Sequence, residues 1–147
     1  MTDVFLITTD GGSRGNPGAA ATGFTLRGPG ISPVARGRYI GTATNNVAEY
    51  TALLDALAEL LSQIGTQGAQ HASVQIRTDS ELVVKQVNGI YRVKDPTLKQ
   101  LFMKLYDERK KFASVEVIHV RREFNVEADA AVNEALDAHE KSQRAMK

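Results

Sequence analysis

Four carboxylates stand where the sequence pattern changes from one structural element to the next. Asp10 follows the apolar run of residues 4–7, and Asp79 follows a second segment with the pattern of a strand. Glu49 and Asp129 lie in the first turns of two segments with helical periodicity. Carboxylates that meet at one site repel one another unless they are protonated or bound to cations. Because hard divalent cations prefer oxygen ligands, these four residues are candidate metal ligands.

Such a cluster suits the hydrolysis of a phosphodiester. Two divalent cations held about 3.5–4 Å apart can activate a water molecule and stabilise the leaving oxygen, so no nucleophilic side chain is needed. The chain has no cysteine and three histidines. We expect His119 to be packed within a strand, and His71 and His139 to lie in a loop and in the C-terminal tail. None of the three is therefore a candidate catalyst.

A glycine-rich segment follows Asp10, with four glycines and one proline in residues 11–18. This composition predicts a turn with exposed backbone amides, which would leave Asp10 at the end of a strand. An isolated Asp-Gly pair most often marks only a hairpin turn. A nucleotide-binding phosphate loop is not favoured, because no Lys-Ser/Thr pair follows the glycines.

Length and composition predict a single domain over residues 1–140, followed by a frayed tail at 141–147. A chain of 147 residues with 42% apolar residues can bury one core of ordinary size. Without cysteine, neither a disulfide framework nor a thiolate metal site can form. The sequence shows no basic leader, and no stretch approaches the roughly 20 apolar residues of a membrane span. We therefore expect a cytoplasmic monomer without membrane association.

Charge is distributed unevenly along the chain, although the net charge is only +1. Residues 85–122 contain ten Lys/Arg and four Asp/Glu, whereas the segments on either side are acidic. A basic middle segment beside carboxylate-bearing ends suits a polyanion that meets a metal site. A solvated helix face would give a similar count. Part of this charge is expected on the outer face of a helix, at Lys99, Lys104, Arg109, Lys110 and Lys111.

Hydrophobic periodicity and turn signals predict five strands and four helices. The strands are expected at residues 4–9, 20–27, 34–42, 72–78 and 114–120. The helices are expected at residues 45–65, 80–87, from Asp95-Pro96 onward, and 125–140. Ser80 and Asp95 are of the types that cap helix N-termini.

The order βββαβααβα predicts an α/β fold of the α+β-like kind. Its five-stranded mixed sheet would contain three antiparallel strands and then two parallel strands, flanked by helices. Right-handed crossovers place the first strand beside the fourth, and the fourth beside the fifth. Asp10 and Asp79 would then end neighbouring strands.

Four motifs, in this order, resemble those of the type 1 ribonuclease H family. They are TDGGSRGNPG at residues 9–18, TNNVAE at 44–49, TDS at 78–80 with Gln86 after it, and NVEAD at 125–129 with Asn133 after it. The resemblance covers about residues 4–138. It implies a ribonuclease H-like fold and an endonuclease that hydrolyses the RNA strand of RNA–DNA hybrids. Two Mg²⁺ or Mn²⁺ ions would take part, and the products would carry 5′-phosphate and 3′-hydroxyl ends.

The resemblance also implies roles for individual residues. The metal ligands would be Asp10, Glu49, Asp79 and Asp129. Contacts to the hybrid would come from Gly11, Gly12, Ser13, Asn16, Asn45, Asn46, Gln86, Arg92 and Lys94. Amide side chains suit this substrate, because the wide, shallow minor groove of an A-like duplex displays 2′-hydroxyl groups.

Two departures from the family pattern indicate a compact form. Many bacterial members carry a long basic protrusion after the third carboxylate, whereas here residues 88–94 lead directly into Asp95-Pro96. Those members also have a histidine in the loop before the fourth carboxylate, where this chain has VRREF. Arg122 in that loop would act as an electrostatic clamp, since arginine cannot serve as a base near neutral pH. The alternative is that Arg122 only pairs with Glu123 or Glu127 at the surface.

Three other functions compete with the hybrid-specific nuclease. A broader nuclease would also cut double-stranded RNA, because a compact member depends less on contacts to the DNA strand. A non-catalytic hybrid-binding module would tolerate loss of the carboxylates, and the presence of all four argues against it. A structural metal-binding domain would not need asparagine and glutamine at groove-facing positions.

Overall fold

In the computed structural model, residues 2–146 form five strands and four helices. The strands are β1 (Asp3–Gly15), β2 (Gly18–Arg27), β3 (Val34–Ala43), β4 (Ala72–Thr78) and β5 (Ser114–His119). The helices are α1 (Asn45–Gln70), α2 (Glu81–Val87), α3 (Pro96–Arg109) and α4 (Val126–Ala145), with a 3₁₀ turn at Arg122–Phe124 before α4. The predicted order of elements is confirmed.

The strands form one mixed sheet with the order β3-β2-β1-β4-β5. β2 pairs antiparallel with both β1 and β3, and β4 pairs parallel with both β1 and β5. The predicted sheet of three antiparallel and two parallel strands is therefore confirmed. The prediction that β4 lies between β1 and β5 is also confirmed.

The predicted turn directly after Asp10 is wrong. β1 continues to Gly15 and pairs with β2 along its length, so Asp10 lies opposite Gly23 in the middle of a strand pair. On its other side, the pairing of β1 with β4 stops at Thr9 and Thr78. Asp10 and Asp79 are the next residues of these two strands. They therefore stand side by side where the parallel pairing ends, as predicted.

Gly11 is required by packing rather than by a turn. A Cβ atom at Gly11 would overlap the backbone of Ala48 and Glu49, because α1 lies directly against β1 at this point. The turn itself is at Asn16 and Pro17. Local composition predicts a turn at Gly11, because the neighbouring sequence carries no information about the distant helix α1, whose packing leaves no room for a side chain at this residue.

The main hydrophobic core lies between α1 and one face of the sheet. Its fully buried side chains include Ile7, Leu26, Leu53, Leu57 and Ile76. Removal of this many aliphatic side chains from water contributes more than any other interaction to the stability of the fold. The core therefore fixes the position of α1, and with it Glu49, relative to β1 and β4.

A second, smaller cluster attaches α4 to the opposite face of β2. It consists of Ala21, Val132 and Leu136. A Cβ atom at Gly23 would overlap the carbonyl oxygen of Ala128, so the first turn of α4 lies directly on the strand. Because Gly23 pairs with Asp10, this contact brings Asp129 to the same place in the fold.

Helix termini follow the predicted caps, with two differences in length. The side chains of Ser80 and Asp95 accept hydrogen bonds from the amides of Val83 (3.3 Å) and Leu98 (2.9 Å). α1 is interrupted at Gly65, the predicted end, but a short further helical segment continues to Gln70. α4 runs to Ala145, so residues 141–145 are helical rather than a frayed tail.

Within residues 2–146, no helix combines the length and apolarity that a membrane span requires.

Three side chains occupy surroundings that differ from the prediction. His119 is exposed at the end of β5 instead of packed. His139 lies within α4, where its ring stacks on that of Tyr39 with 3.7 Å between centroids. Arg109 is not on the outer face of α3, since its Nη2 donates to the carbonyl oxygen of Val115 at 2.7 Å. For His139 and Arg109, a contact with another element decides the outcome.

Candidate active site

Carboxylates from four elements converge at the point where β1 and β4 diverge. Asp10, Glu49 and Asp79 each offer an oxygen, and these atoms lie within 4.8 Å of one another. Asp129 approaches Asp10 from the first turn of α4. All four residues line a cleft of about 260 Å³. The four carboxylates that the sequence singles out are thus brought together.

Two of these carboxyl groups have raised pKa values, mainly because they are buried. Burial raises the pKa of Asp10 to about 8, with further contributions from the charge of Asp79 and a hydrogen bond to Asp129. Burial also raises the pKa of Glu49 to about 9, helped by the charges of Asp10 and Asp79. Hydrogen bonds from the Gly11 amide oppose both shifts. A cation at this place would offset both the burial and the repulsion, and would lower the pKa values of the two groups.

A divalent cation fits the atoms that the cleft presents. The Oε2 atom of Glu49 is buried and has no hydrogen-bond partner among the described residues, and its side chain is only 9% exposed. A buried oxygen without a partner is destabilising unless a donor or a cation satisfies it. An all-oxygen ligand set is also the one that Mg²⁺, Mn²⁺ and Ca²⁺ prefer. Asp10, Glu49 and Asp79, with Asp129 beside them, could therefore hold such ions.

In the metal-free protein, the raised pKa values predict a pH-dependent stability. Unfolding returns the carboxyl groups of Asp10 and Glu49 to ordinary pKa values near 3.8 and 4.5, whereas the folded values are about 8 and about 9. Their contribution to the free energy of unfolding is complete below about pH 4 and is lost as the pH rises through about 8 to 9. Urea denaturation in EDTA at a series of pH values measures this decline.

The Asp10→Asn variant should show a shallower decline than the parent protein, since one of the two titrating groups is gone. Asp107→Asn, at an exposed position of α3, is the matched control and should follow the parent. Equal pH dependence in Asp10→Asn and the parent would contradict the assignment of the shift to this cluster.

Arg122 reaches the cleft from the 3₁₀ turn before α4. Its Nε atom lies 3.8 Å from Oδ2 of Asp79, and its side chain is 89% exposed. The predicted alternative partners are engaged elsewhere, Glu123 by Arg121 at 3.7 Å and Glu127 by Arg27 at 2.9 Å. Arg122 therefore faces the carboxylates, as the electrostatic-clamp hypothesis requires, and within residues 2–146 it forms no ion pair with either glutamate.

Hydrogen bonds join the β1–β2 turn to the start of α1. The backbone amide and Oγ of Ser13 donate to Oδ1 of Asn45, at 2.8 and 3.2 Å. The backbone amide of Asn45 in turn donates to Oδ1 of Asn16 at 3.1 Å. Both asparagines thus use their carbonyl oxygens inside the protein and keep their NH₂ groups for other partners. The predicted contact residues at the cleft are Gly11, Gly12, Ser13, Asn45 and Asn46, with Asn16 adjoining them.

The remaining predicted contact residues line a different and larger cavity. Gln86 is only 6% exposed and accepts a hydrogen bond at Oε1 from the hydroxyl of Tyr50 at 2.7 Å. With Arg92 and Lys94 it borders a cavity of about 990 Å³ between α3 and the loop before it. Aromatic and cationic side chains complete the lining, among them Tyr91, Lys99, Phe102 and Tyr106. The structure therefore divides the predicted contact residues between two neighbouring sites.

Arg14 lines the cleft but is not among the predicted site residues. Its guanidinium contacts Asp137 at 2.8 Å and Glu140 at 2.7 Å, both on α4. One turn closer to the cleft, Asn133 donates from Nδ2 to Oδ2 of Asp129 at 3.3 Å. The spacing of three to four residues predicts that four polar residues form one stripe along α4, namely Asp129, Asn133, Asp137 and Glu140. No feature of the sequence near Arg14 identifies it as the partner of this stripe.

Comparison with known proteins gives matches over most of the chain. A family model described as "Reverse transcriptase-like" matches residues 8–135. Ribonuclease HI of Halobacterium salinarum is 42% identical over 129 residues, which cover 87% of this chain and 62% of that protein. The bifunctional protein Rv2228c of Mycobacterium tuberculosis is 37% identical over 135 residues, which cover 90% of this chain and 35% of that protein. The chain thus spans less than two thirds of the length of these curated relatives.

Among solved structures, the chain is similar to LC11-RNase H1, a protein isolated from compost, in complex with an RNA/DNA hybrid. The two share 41% identity with a TM-score of 0.84, over 92% of this chain and 98% of that one.

Proposed function

Because this chain belongs to the type 1 ribonuclease H family, we propose that it is an endonuclease that hydrolyses the RNA strand of RNA–DNA hybrids. The observation that carries the proposal is the convergence of Asp10, Glu49 and Asp79, with ligand oxygens within 4.8 Å, beside Asp129. A module that only bound hybrids would have no use for a buried, self-repelling cluster. The hybrid-bound relative of similar fold supports the choice of substrate.

The proposed reaction uses two Mg²⁺ or Mn²⁺ ions held by Asp10, Glu49, Asp79 and Asp129. When bound, these ions supply an activated water molecule and stabilise the charge on the leaving oxygen. The water oxygen would lose a proton to solvent and bond to phosphorus while the P–O3′ bond breaks and O3′ takes up a proton, which gives a 5′-phosphate and a 3′-hydroxyl end. Asp10 and Glu49 would have to give up their protons to serve as ligands, because ligation requires the carboxylate form. Arg122 donates to a phosphate oxygen whose negative charge grows in the transition state.

The substrate surface consists of the two neighbouring sites. At the cleft, the NH₂ groups of Asn16 and Asn45 are free to donate to acceptors of the minor groove. Backbone amides near Gly11 and Gly12 would approach the ribose and phosphate next to the scissile bond. In the larger cavity, Arg92 and Lys94 would neutralise phosphates of the DNA strand, with aromatic side chains next to them.

Hybrid affinity is expected to depend only weakly on salt. The basic side chains at the larger cavity are few, so the slope of log affinity against log salt should correspond to roughly two to four phosphates. Fluorescence anisotropy with the Asp10→Asn variant, between about 50 and 300 mM salt, measures this slope. Lys94→Ala should lower the slope by about one phosphate, whereas Lys141→Ala, at an exposed position of α4, should leave it unchanged. A slope that corresponds to about eight or more phosphates would contradict this prediction, because it would require more basic contacts than these residues provide.

A substrate panel tests the proposed function against its competitors. Labelled RNA–DNA hybrid, double-stranded RNA and DNA duplex are incubated with the protein in Mg²⁺, Mn²⁺ or chelator. We expect cleavage of the hybrid, confined to the RNA strand and dependent on the cation. Equal rates on double-stranded RNA would favour the broader nuclease, and tight binding without cleavage would favour the binding module. Neither binding nor cleavage would leave only a structural metal-binding role.

A further inference from the structure

Tyr50 lies next to Glu49 on α1 and has no part in the proposed cation site. Its side chain is fully buried, and its hydroxyl donates to Oε1 of Gln86 at 2.7 Å. The bond joins α1 to α2 across the core. The bond also engages the side-chain oxygen of Gln86, and Gln86 borders the 990 Å³ cavity together with Arg92 and Lys94.

This hydrogen bond determines which end of the Gln86 amide faces the cavity. In the observed orientation the Tyr50 hydroxyl has an acceptor, and the NH₂ group is left for a partner outside the core. A flipped amide would place NH₂ against the hydroxyl oxygen and leave the hydroxyl proton without an acceptor. Tyr50 is fully buried, so water cannot replace that acceptor, and the flipped form is disfavoured.

The same arrangement occurs at the two asparagines of the neighbouring cleft. Oδ1 of Asn16 accepts from the amide of Asn45, and Oδ1 of Asn45 accepts from Ser13. All three amides therefore use their oxygens as acceptors within the protein, and their NH₂ groups donate to no group of residues 2–146. In the minor groove every base pair offers the acceptors N3 and O2, and RNA adds its 2′-hydroxyl groups. A surface that presents only donors can contact these acceptors whatever the sequence.

We propose that Tyr50 is a positioning residue that locks the Gln86 amide with its NH₂ group toward the minor groove of the bound duplex. The inference rests on the proposed function, since it takes the duplex as the ligand of Gln86. Tyr50 touches no substrate in this account. Its contribution is to hold one orientation of a neighbouring side chain and so to raise substrate affinity rather than turnover.

A double-mutant cycle on kinetic constants tests the proposal. Tyr50→Phe removes the hydroxyl alone, and it should raise KM for the hybrid by roughly three- to tenfold with little change in kcat, as expected for one lost hydrogen bond. Gln86→Ala should raise KM at least as much. In the Gln86→Ala background, Tyr50→Phe should have no further effect, because no amide remains to be oriented. Tyr39→Phe is the matched control, since this tyrosine stacks on His139 and should leave KM unchanged.

The possible results separate the inference from the function on which it rests. An equal rise in KM on Tyr50→Phe in both backgrounds would show a general effect on the fold and overturn the proposal, and thermal melts of each variant report such an effect directly. An unchanged KM in Gln86→Ala, with an active parent, would overturn the proposal and leave the nuclease function standing. A parent protein that does not cleave the hybrid would overturn both.

Discussion

The Asp10→Asn and Asp79→Asn variants should each lose hybrid cleavage, by at least about a thousandfold, while they fold normally and still bind the hybrid. Each substitution removes one anionic oxygen from a set whose members lie within 4.8 Å of one another. A neutral amide is a poorer ligand for a hard cation, so the ions that polarise the water and the leaving oxygen are no longer held correctly. Substrate contacts are made by other residues, so affinity should be little affected.

The stability of these variants gives a second, independent readout. Removal of a charge from a self-repelling cluster should stabilise the metal-free protein above neutral pH, where the parent must ionise Asp10 at a pKa of about 8. Single-turnover cleavage, hybrid binding and melts in EDTA are measured on the same preparations, with Asp107→Asn as the control. A cleavage rate within a few-fold of that of the parent in either variant would contradict the assignment of the metal site.

Arg122→Ala should lower turnover by roughly tenfold to a thousandfold, the range expected for a lost transition-state donor. Its side chain is 89% exposed and only 3.8 Å from Asp79, so it can reach a phosphate held at the carboxylates. A guanidinium stays protonated near neutral pH and can therefore stabilise negative charge but cannot act as a base. An exposed ion pair of this length contributes little to folding, so the loss should appear in kcat and not in the melting temperature.

Two control variants define what would contradict this role. Arg121→Ala removes the neighbouring arginine, which pairs with Glu123 at the surface, and should leave turnover unchanged. His119→Ala should also change it little, because His119 is exposed at the end of β5 and does not line the cleft. A large loss of turnover in His119→Ala, with turnover unchanged in Arg122→Ala, would contradict this role of Arg122 and assign it to His119.

Features that follow from local side-chain chemistry or from the order of the elements are predicted correctly. The caps Ser80 and Asp95 follow from side-chain chemistry within one helical turn, and the structure contains both hydrogen bonds. The neighbouring positions of Asp10 and Asp79 follow from the order of elements and the handedness of crossovers. Because motif order and topology suffice for this much, the carboxylate cluster could be located from the amino-acid sequence alone.

Individual side-chain and backbone contacts between distant elements are not predicted. The glycines after Asp10 indicate a turn by composition, yet Gly11 is there because α1 packs against β1 at that residue. The partnership of Tyr50 with Gln86 joins residues 36 positions apart, and no spacing rule connects them. Arg14 and Glu140 are 126 positions apart. Side-chain partners of this kind are set by the packed fold, which local patterns do not contain.

The most direct test of the central claim is to map the ends of the products from an end-labelled RNA–DNA hybrid incubated with the purified protein. With Mg²⁺ or Mn²⁺, we expect internal cuts in the RNA strand alone, each leaving a 5′-phosphate and a 3′-hydroxyl, and no cuts with EDTA or with Asp10→Asn. Cuts that persist in EDTA, or products with 2′,3′-cyclic phosphate ends, would contradict it. Such products would require the RNA 2′-hydroxyl as nucleophile, in place of a water molecule activated at the carboxylate cluster.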